Sequence, residues 1–211
     1  MFTGIIKELG TVRSLDAAGN IYKLGVSCRS IVARADIGGS VAVSGVCLTV
    51  TRKDAGTLFF DVMAETLRKT TLSGLKSADA VNLEGSLKAG GGLDGHFVLG
   101  HVDCVGTVKE IAAKGDEYVM EITFSEGFGH LLVEKGSVTV DGISLTVGEA
   151  MKGSFRAYLI PHTLAETTLG KKRSGSRVNL EFDIIGKYVA KLHAQGRPGI
   201  TEEFLKANGF R

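Results

Sequence analysis

The chain has 211 residues, of which 44% are hydrophobic and 23% are charged, so it can fill two modest cores of ordinary globular composition. Its formal net charge of +2 gives no reason to expect a polyanionic partner such as nucleic acid. It has no apolar stretch of membrane-spanning length and no visible signal peptide, and its three cysteines lack paired spacing, so we expect a soluble cytoplasmic protein with free thiols.

The first half of the chain predicts short β-strands. Residues 46–51 alternate cleanly, so Val46, Leu48 and Val50 should face a core while Cys47 and Thr49 face away from it. The predicted strands cover residues 2–15, 21–28, 40–43, 46–51, 58–63 and 80–87. A turn is predicted over residues 16–20 and short helical turns over 31–37 and 65–72.

The second half repeats the first. GSVAVSGVCLTV at residues 39–50 returns as GSVTVDGISLTV at residues 136–147. The match continues without a gap from residues 39–84 to residues 136–181, an offset of 97 residues. A period of that length suits a whole small domain, so the chain is a tandem duplication with a glycine-rich linker at residues 89–95.

The remaining elements complete an all-β prediction. Strands are expected over residues 96–111 and 117–124, and a short helix over 129–134. Evenly spaced short strands in each half predict a barrel or a sandwich. The tail has no counterpart in the first half, and its predicted helices at 187–195 and 201–208 suggest an oligomerisation element. Thr201 suits the N-cap of the last helix and Gly209 its end.

Differences between the two copies are candidates for chemistry. The outward faces of the repeated strands show Cys47-x-Thr49 in one copy and Ser144-x-Thr146 in the other. These faces predict two matched pockets, one with a thiol and one with a hydroxyl. The alternative interpretation is that such residues are ordinary on strand surfaces.

His101 is a candidate proton shuttle, because an imidazole near the carboxylate of Asp103 can titrate near neutrality. A metal site with His96 is disfavoured, since His96 and His101 point to opposite sides of a regular strand and no further ligands have suitable spacing. The basic run at residues 171–173 is interpreted as a solvated turn.

Six motifs occur in the order MFTGII, GVCLTV, ETLRKTTL, GHFVLGHVD, DGISLTVG and IPHTLAETTLG. Together with the duplication, they make essentially the whole chain resemble the riboflavin synthases of the alpha-chain type. The resemblance implies an all-β fold of two similar six-stranded antiparallel Greek-key barrels in tandem, plus a C-terminal α-helix. The expected domains are lumazine-binding barrels at residues 1–88 and 96–185 and a trimerisation tail at residues 186–211.

The resemblance also implies an activity, a transferase reaction that is the final step of riboflavin biosynthesis. Two molecules of 6,7-dimethyl-8-ribityllumazine would exchange a four-carbon unit and give riboflavin and 5-amino-6-ribitylaminouracil. The implied reaction uses no metal and no organic cofactor. The implied assembly is a homotrimer without nucleic-acid or membrane partners, and an association with lumazine synthase, which makes the substrate, is left open.

The family's site can be carried over residue by residue. The first pocket would use Gly4, Ile5, Ile6, Cys47, Leu48, Thr49, Asp61, Val62, Met63, Ala64, Glu65 and Thr66. The second pocket would use Gly100, His101, Val102, Ser144, Leu145, Thr146, Tyr158, Leu159, Ile160, Pro161, His162 and Thr163. Lys135 would reach in from a neighbouring subunit, and Phe2, Ser40, Asp141 and Asp183 would support the site.

Within this set, Cys47, His101 and Ser144 are the expected catalytic residues. His101 and Ser144 would handle protons, and Cys47 would lie near the acceptor ring. Because one substrate donates carbons and the other accepts them, the pockets must differ, and Cys47 against Ser144 and Ser44 against Asp141 are differences of that kind.

Three other functions were considered. Noncatalytic lumazine-binding antenna proteins share the duplicated barrel, but their second pocket has drifted, whereas both copies here keep a polar face. A flavin-reductase-like or other oxidoreductase β-barrel would need a nicotinamide-binding domain, which the tail does not supply. A purely structural β protein would leave the copied polar faces unexplained.

Overall fold

The computed structural model describes residues 1–114, 117–194 and 202–209. It contains two closed six-stranded antiparallel barrels in tandem, which confirms the predicted fold class. The first barrel consists of β1 (Glu8–Ala18), β2 (Ile21–Ser27), β3 (Ser40–Val43), β4 (Val46–Asp54), β5 (Thr57–Met63) and β6 (Ala80–Gly85). The second consists of β7 (Cys104–Lys114), β8 (Glu117–Thr123), β9 (Ser137–Val140), β10 (Ile143–Met151), β11 (Ser154–Leu159) and β12 (Arg177–Phe182).

The two barrels have the same strand order. The first closes in the order β1-β2-β5-β4-β3-β6, and the second follows the equivalent order β7-β8-β11-β10-β9-β12. Both also carry a register irregularity at the same place, between Val50 and Arg52 and between Val147 and Glu149. Closure leaves no unpaired sheet edge, which allows so small a unit to avoid edge-to-edge pairing.

Short helices connect the strands. The α-helices are α1 (Ser30–Arg34), α2 (Ala64–Lys69), α3 (Pro161–Glu166), α4 (Ile184–Ala194) and α5 (Glu202–Ala207). Short 3₁₀ helices span Thr71–Gly74, Glu126–Leu131 and Thr168–Lys171. Within the three described ranges, no helix combines the length and the apolar character that a membrane crossing requires.

Side-chain alternation builds the cores as predicted. Val46, Leu48 and Val50 are buried in the first barrel, while Cys47 is half-buried and Thr49 is exposed. The same pattern holds in β10 of the second barrel. Each barrel therefore has its own core and presents the intervening side chains on its outer wall.

The predicted first strand of each half is wrong at its beginning. Residues 2–15 were expected as one strand, but β1 begins at Glu8, and its pairing with β2 continues to Ala18 opposite Ile21, inside the predicted turn. Likewise β7 begins at Cys104 and not at residue 96. The residues before each strand leave the barrel and pair with each other, through a bridge between Phe2 and Val98. β6 also ends at Gly85, two residues earlier than predicted.

The predicted tail helices are confirmed over the described residues. α4 spans Ile184–Ala194, three residues longer at its start than predicted, and α5 spans Glu202–Ala207. Gly209 has a φ of +83°, the left-handed conformation that commonly ends a helix, so its predicted role is confirmed. Gln195 and the predicted N-cap Thr201 lie outside the described residues.

Two buried asparagines join the barrels. Nδ2 of Asn82 donates to the carbonyl of Asp141, and Nδ2 of Asn179 donates to the carbonyl of Ser44; both donor–acceptor distances are 2.8 Å. Both side-chain oxygens also accept a backbone N–H from the other barrel. Buried amides must be paired in this way, so each asparagine is satisfied only when both barrels are in place.

The same junction brings two tight turns into backbone contact. A Cβ atom on Gly45 would lie 2.5 Å from the backbone nitrogen of Gly142, and one on Gly142 would lie 2.7 Å from that of Gly45. Both glycines have a φ near +80°. A side chain at either position would push the barrels apart, so glycine is required here by both conformation and space.

Candidate functional site

Residues 2–7 precede the first barrel and residues 96–103 precede the second, and we call them the leading segments. Each leading segment packs against the other barrel. The carbonyl of Gly4, which precedes the first barrel, accepts a 2.8 Å hydrogen bond from the backbone N–H of Ser144 in the second. The carbonyl of Gly100, which precedes the second barrel, accepts a 2.9 Å bond from the N–H of Cys47 in the first. Each outer wall that carries a repeated polar strand is therefore completed by the other barrel's leading segment.

Close packing makes glycine necessary at both exchange points. A Cβ atom on Gly4 would lie 2.6 Å from Cβ of Ser144, and one on Gly100 would lie 2.6 Å from Cβ of Cys47. The two glycines also have φ values of +79° and +77°, where other residues are strained.

This exchange corrects the grouping of the site residues that the sequence predicted. Gly4, Ile5 and Ile6 were assigned to the pocket of Cys47, but they lie against the second barrel, and Ile6 packs on the second core. Conversely, Val102 packs on the first core. A repeat establishes which residues are equivalent, but it cannot tell which barrel a leading segment joins.

We call the first grouping the Cys47 site. It comprises Cys47, Leu48 and Thr49, the adjacent residues 61–66, and Gly100, His101 and Val102. The register of β4 and β5, with Val50 opposite Phe60, places Asp61 and Met63 on the strand beside Cys47 and Thr49. Met63 is 64% exposed. The site is thus an open, partly apolar surface on the barrel's outer wall.

We call the second grouping the Ser144 site. It comprises Ser144, Leu145 and Thr146, the adjacent residues 158–163, and Gly4, Ile5 and Ile6. Val147 opposite Ala157 places Tyr158 on the neighbouring strand, which ends at Leu159, and Ile160 follows directly. Ile160 is 61% exposed, like its counterpart Met63. The two sites therefore share their architecture and their outward orientation.

His96 connects the Ser144 site to the buried side chain of Thr139. Its Nδ1 lies 2.7 Å from Oγ of Ser144, and its Nε2 lies 3.1 Å from Oγ1 of the buried Thr139. Burial lowers the pKa of His96 below the ordinary imidazole value, and the nearby Asp183 carboxylate opposes this shift. A neutral imidazole that donates to Thr139 through Nε2 can accept the Ser144 hydroxyl proton at Nδ1.

From the sequence alone His96 was weighed only as a metal ligand, and its contact with Ser144 was not predicted. Thr139 is replaced by Ala42 in the first copy. This difference between the copies, together with Ser144 against Cys47, is the signal that could have found the role of His96. In the first barrel the same place is apolar, since Cys47 packs on Phe2, Ala42 and Val98.

The predicted link between His101 and Asp103 is wrong. The Asp103 carboxylate accepts from the backbone N–H of Phe182 and lies 2.6 Å from Nζ of Lys187. His101 is exposed and is held through its backbone N–H by Glu181 at 3.1 Å. Any role of His101 in proton transfer therefore cannot depend on that carboxylate.

Asp141 and Ser44, which were expected to distinguish the pockets, lie at the junction between the barrels. Asp141 is buried and its carboxylate is 2.7 Å from Nζ of Lys172. Burial raises the pKa of Asp141, while the Lys172 ammonium acts in the opposite direction. The basic run at residues 171–173 is accordingly not a fully solvated turn, because Lys172 points into this junction.

The other predicted supporting residues are spread around the two sites. Phe2 is fully buried between the leading segments, and Ser40 pairs with Thr49. Asp183 accepts from the N–H of Ile185 at the start of α4. Lys135 is exposed in a turn with a φ of +62°. No group of three or more potential metal-binding side chains occurs among the described residues.

The fold defines a class of protein in which a six-stranded antiparallel barrel occurs twice in tandem, with equivalent polar strands on the two outer walls. The family model for the lumazine binding domain matches the chain twice, over residues 3–86 and 99–183. The riboflavin synthase of Actinobacillus pleuropneumoniae is 41% identical, with 100% of both chains covered, and so is that of Bacillus subtilis. The riboflavin synthase of Chlamydia pneumoniae is 45% identical over 89% of this chain and 92% of its own.

Solved structures show the same fold. A crystal structure of LumP complexed with riboflavin has a TM-score of 0.80 at 23% identity, covering 86% of this chain and 99% of LumP. LumP complexed with 6,7-dimethyl-8-(1'-D-ribityl) lumazine has a TM-score of 0.77 at 24% identity, covering 86% of this chain and 98% of LumP. The chain belongs to the lumazine-binding domain family and, within it, to the riboflavin synthase family.

We expect His96 to make the folding stability depend on pH. Between its lowered folded-state pKa and the ordinary value of 6.5, the unfolded chain binds a proton that the folded chain does not, so the free energy of unfolding increases with pH. This contribution is complete above about pH 6.5 and is lost as the pH falls through the folded-state pKa. His96→Gln should flatten the dependence in urea unfolding at a series of pH values. If the free energy of unfolding changes equally with pH in the parent and the variant, His96 is not the source of the pH dependence.

Proposed function

We propose that the chain is a riboflavin synthase. It transfers a four-carbon unit between two molecules of 6,7-dimethyl-8-ribityllumazine and releases riboflavin and 5-amino-6-ribitylaminouracil. The observation that carries the proposal is the presence of two equivalent sites that differ at the reacting positions. The full-length similarity to curated riboflavin synthases supports it.

Two equivalent sites suit a reaction between two identical substrates. Each site offers an outward-facing threonine, Thr49 or Thr146, and an exposed apolar side chain, Met63 or Ile160, beside the exchanged glycine segment. Holding the two ring systems in register can contribute roughly 7–11 kcal/mol to lowering the barrier. A duplicated barrel supplies two such surfaces within one chain.

The differences between the sites suit the different fates of the two substrates. The Ser144 site has a hydroxyl, an imidazole and a second hydroxyl in hydrogen-bond contact, whereas the Cys47 site has a thiol against an apolar cluster. One molecule donates the four carbons and the other accepts them. An imidazole in hydrogen-bond contact with two hydroxyls at only one of the sites provides the required asymmetry.

The first step we propose is removal of a proton from the acidic C7 methyl group of one lumazine. The neutral imidazole of His96 accepts the Ser144 hydroxyl proton at Nδ1, which makes the serine oxygen available as the base. We assign Ser144 and His101 to proton handling, and we place Cys47 beside the acceptor ring. The two substrates together hold all the atoms and electrons of the two products, so the balance requires no external oxidant or reductant.

The remaining residues of the two sites bind the substrates in this proposal. Both sites lie on outer walls and are open on one side, so a second surface must cover each bound ring. We propose that a neighbouring subunit supplies it, and that Lys135 reaches in from that subunit. The reacting pair would then lie between the Cys47 site of one subunit and the Ser144 site of another.

Helix α4 supports such an assembly. Ile185, Tyr188, Val189 and Leu192 lie on one face with the spacing of a helix stripe, and each is 49% exposed or more. An apolar stripe of this kind is normally covered. We propose that α4 packs against its copies in a homotrimer. The three free cysteines suit a reducing compartment, which supports a cytoplasmic location.

The second candidate function is that of a noncatalytic lumazine-binding antenna. The structural similarity to LumP is the observation that favours it. The hydrogen-bonded Ser144–His96–Thr139 group argues for the enzyme, because binding alone does not require a neutral imidazole on a serine hydroxyl.

Mixing the purified protein with 6,7-dimethyl-8-ribityllumazine, without added metal or nicotinamide, tests the two functions. We expect riboflavin to appear at half the amount of lumazine consumed, followed by absorbance, from a species with the sedimentation mass of a trimer. Tight lumazine binding without riboflavin would overturn the enzyme and support the antenna.

Two single substitutions test the catalytic assignments. Cys47→Ser and His101→Gln should each lower kcat by about a hundredfold or more, because general acid–base and related contributions have that size, and should change the lumazine dissociation constant much less. His193→Gln, on the exposed end of α4, is the matched control and should turn over like the parent. Parental kcat in both site variants would remove these residues from the catalytic set.

A charge on the α4 stripe tests the assembly. Leu192→Glu should dissociate the trimer, because a carboxylate would be buried among apolar side chains. Its monomer should bind lumazine and lose about tenfold or more of its turnover per chain, since each site would lack its covering surface. Lys191→Glu places the same charge on the adjacent exposed position and should remain trimeric. A monomeric Leu192→Glu variant with full turnover would contradict a site shared between subunits.

A further inference from the structure

A buried glutamate occupies the same place in each barrel. Glu84 ends the Val-Asn-Leu-Glu sequence of β6 and Glu181 ends that of β12, and each is 3% exposed. Neither carboxylate belongs to the sites described above. Each carboxylate accepts hydrogen bonds from the segment that precedes its own barrel.

The Glu84 carboxylate holds the segment before the first barrel. One oxygen accepts from the backbone N–H and the hydroxyl of Thr3, both at 2.7 Å, and the other accepts from the N–H of Gly4 at 2.9 Å. The Glu181 carboxylate holds the segment before the second barrel. It accepts from the N–H groups of Leu99 at 2.7 Å, Gly100 at 2.9 Å and His101 at 3.1 Å.

Through these bonds each buried carboxylate obtains its hydrogen-bond donors from the segment, and the segment is held by the carboxylate. Burial raises the pKa of both glutamates, and the hydrogen bonds from the segments oppose that shift. A buried carboxylate without partners is strongly unfavourable, and hydrogen bonds to a charged acceptor are stronger than neutral ones. Each segment is therefore fixed in place by the carboxylate beneath it.

The held segments continue to the opposite site. Gly4, held by Glu84 of the first barrel, accepts the N–H of Ser144 in the second barrel. Gly100, held by Glu181 of the second barrel, accepts the N–H of Cys47 in the first. The path from carboxylate to reacting side chain crosses from one barrel to the other in both directions.

We propose that Glu84 and Glu181 are crossed positioning residues, so that Glu84 orders the Ser144 site and Glu181 orders the Cys47 site. The consequence for turnover rests on the proposed function, because it assumes that the two sites hold the two lumazines. The crossed geometry itself can be tested without substrate.

The thiol of Cys47 provides the first reporter. It is half-buried, whereas burial raises the pKa of Cys28 and Cys104 to about 11, which leaves them almost without reactive thiolate near neutral pH. The labelling rate of the intact protein with a chromogenic disulfide reports on Cys47. Loss of this labelling in the Cys47→Ser variant assigns the labelling to Cys47.

The double variant Cys47→Ser/Ser144→Cys provides the matched second reporter, with the same thiol at the equivalent position. Glu181→Gln should label about tenfold faster than its parent with the Cys47 reporter and at the parental rate with the reporter at position 144. Glu84→Gln should show the reverse. The expected factor corresponds to losing one hydrogen bond to a charged acceptor, since a side-chain NH₂ cannot accept from a backbone N–H.

Other patterns overturn the proposal. Equal acceleration of both reporters by both variants would show general loosening, and acceleration within the same barrel would show uncrossed control. Should a Gln variant fail to fold, Glu84→Asp and Glu181→Asp retain the charge but shorten the reach, and they must give the same crossed pattern with smaller factors. Because labelling needs no lumazine, an inactive parent protein would refute the proposed function while leaving this pattern decisive.

Discussion

The architecture depends on the reciprocal exchange of two short leading segments between the barrels. Each segment is held by a buried carboxylate of its own barrel, and its glycine carbonyl accepts a backbone N–H from a strand of the other barrel. Neither barrel can complete its site alone. Buried polar groups make this exchange specific, because displacing a segment would leave a carboxylate and several amides without partners. The same principle operates at the junction, where Asn82 and Asn179 are satisfied only across the two barrels.

On this nearly symmetric scaffold, a few side chains create the chemical difference. Ala42 and Cys47 in the first barrel correspond to Thr139 and Ser144 in the second, and only the second site acquires a histidine between its two hydroxyls. Burial lowers the pKa of His96 and so favours the neutral imidazole, the form that can accept a hydrogen bond from the Ser144 hydroxyl. Duplication supplied equal binding surfaces, and these substitutions made them unequal.

In the proposed function, the outward orientation of the two sites links catalysis to assembly. A barrel of this size fills its interior with side chains, so a flat ring has room only against the outer wall. Such a surface covers one face of a ligand and leaves the other to solvent. In the proposed trimer, the apolar stripe on α4, where Leu192 is 69% exposed, brings a second subunit's surface over it.

The sequence by itself determined the duplication, the alternation that builds both cores, and the equivalence of Cys47 and Ser144 on the two outer walls, because these are encoded by local period and by a repeat at constant offset. It predicted the tail helices for the same reason. It could not determine that residues 2–7 and 96–103 leave their barrels, because an extended segment has the same sequence pattern whether it joins its own sheet or another. The partnership of His96 with Ser144, the pairing of Asp103 with Lys187 and the crossing of Gly4 and Gly100 were decided only by the tertiary structure. Each joins residues far apart in sequence through buried hydrogen bonds, whose geometry exists only after both barrels have closed and packed.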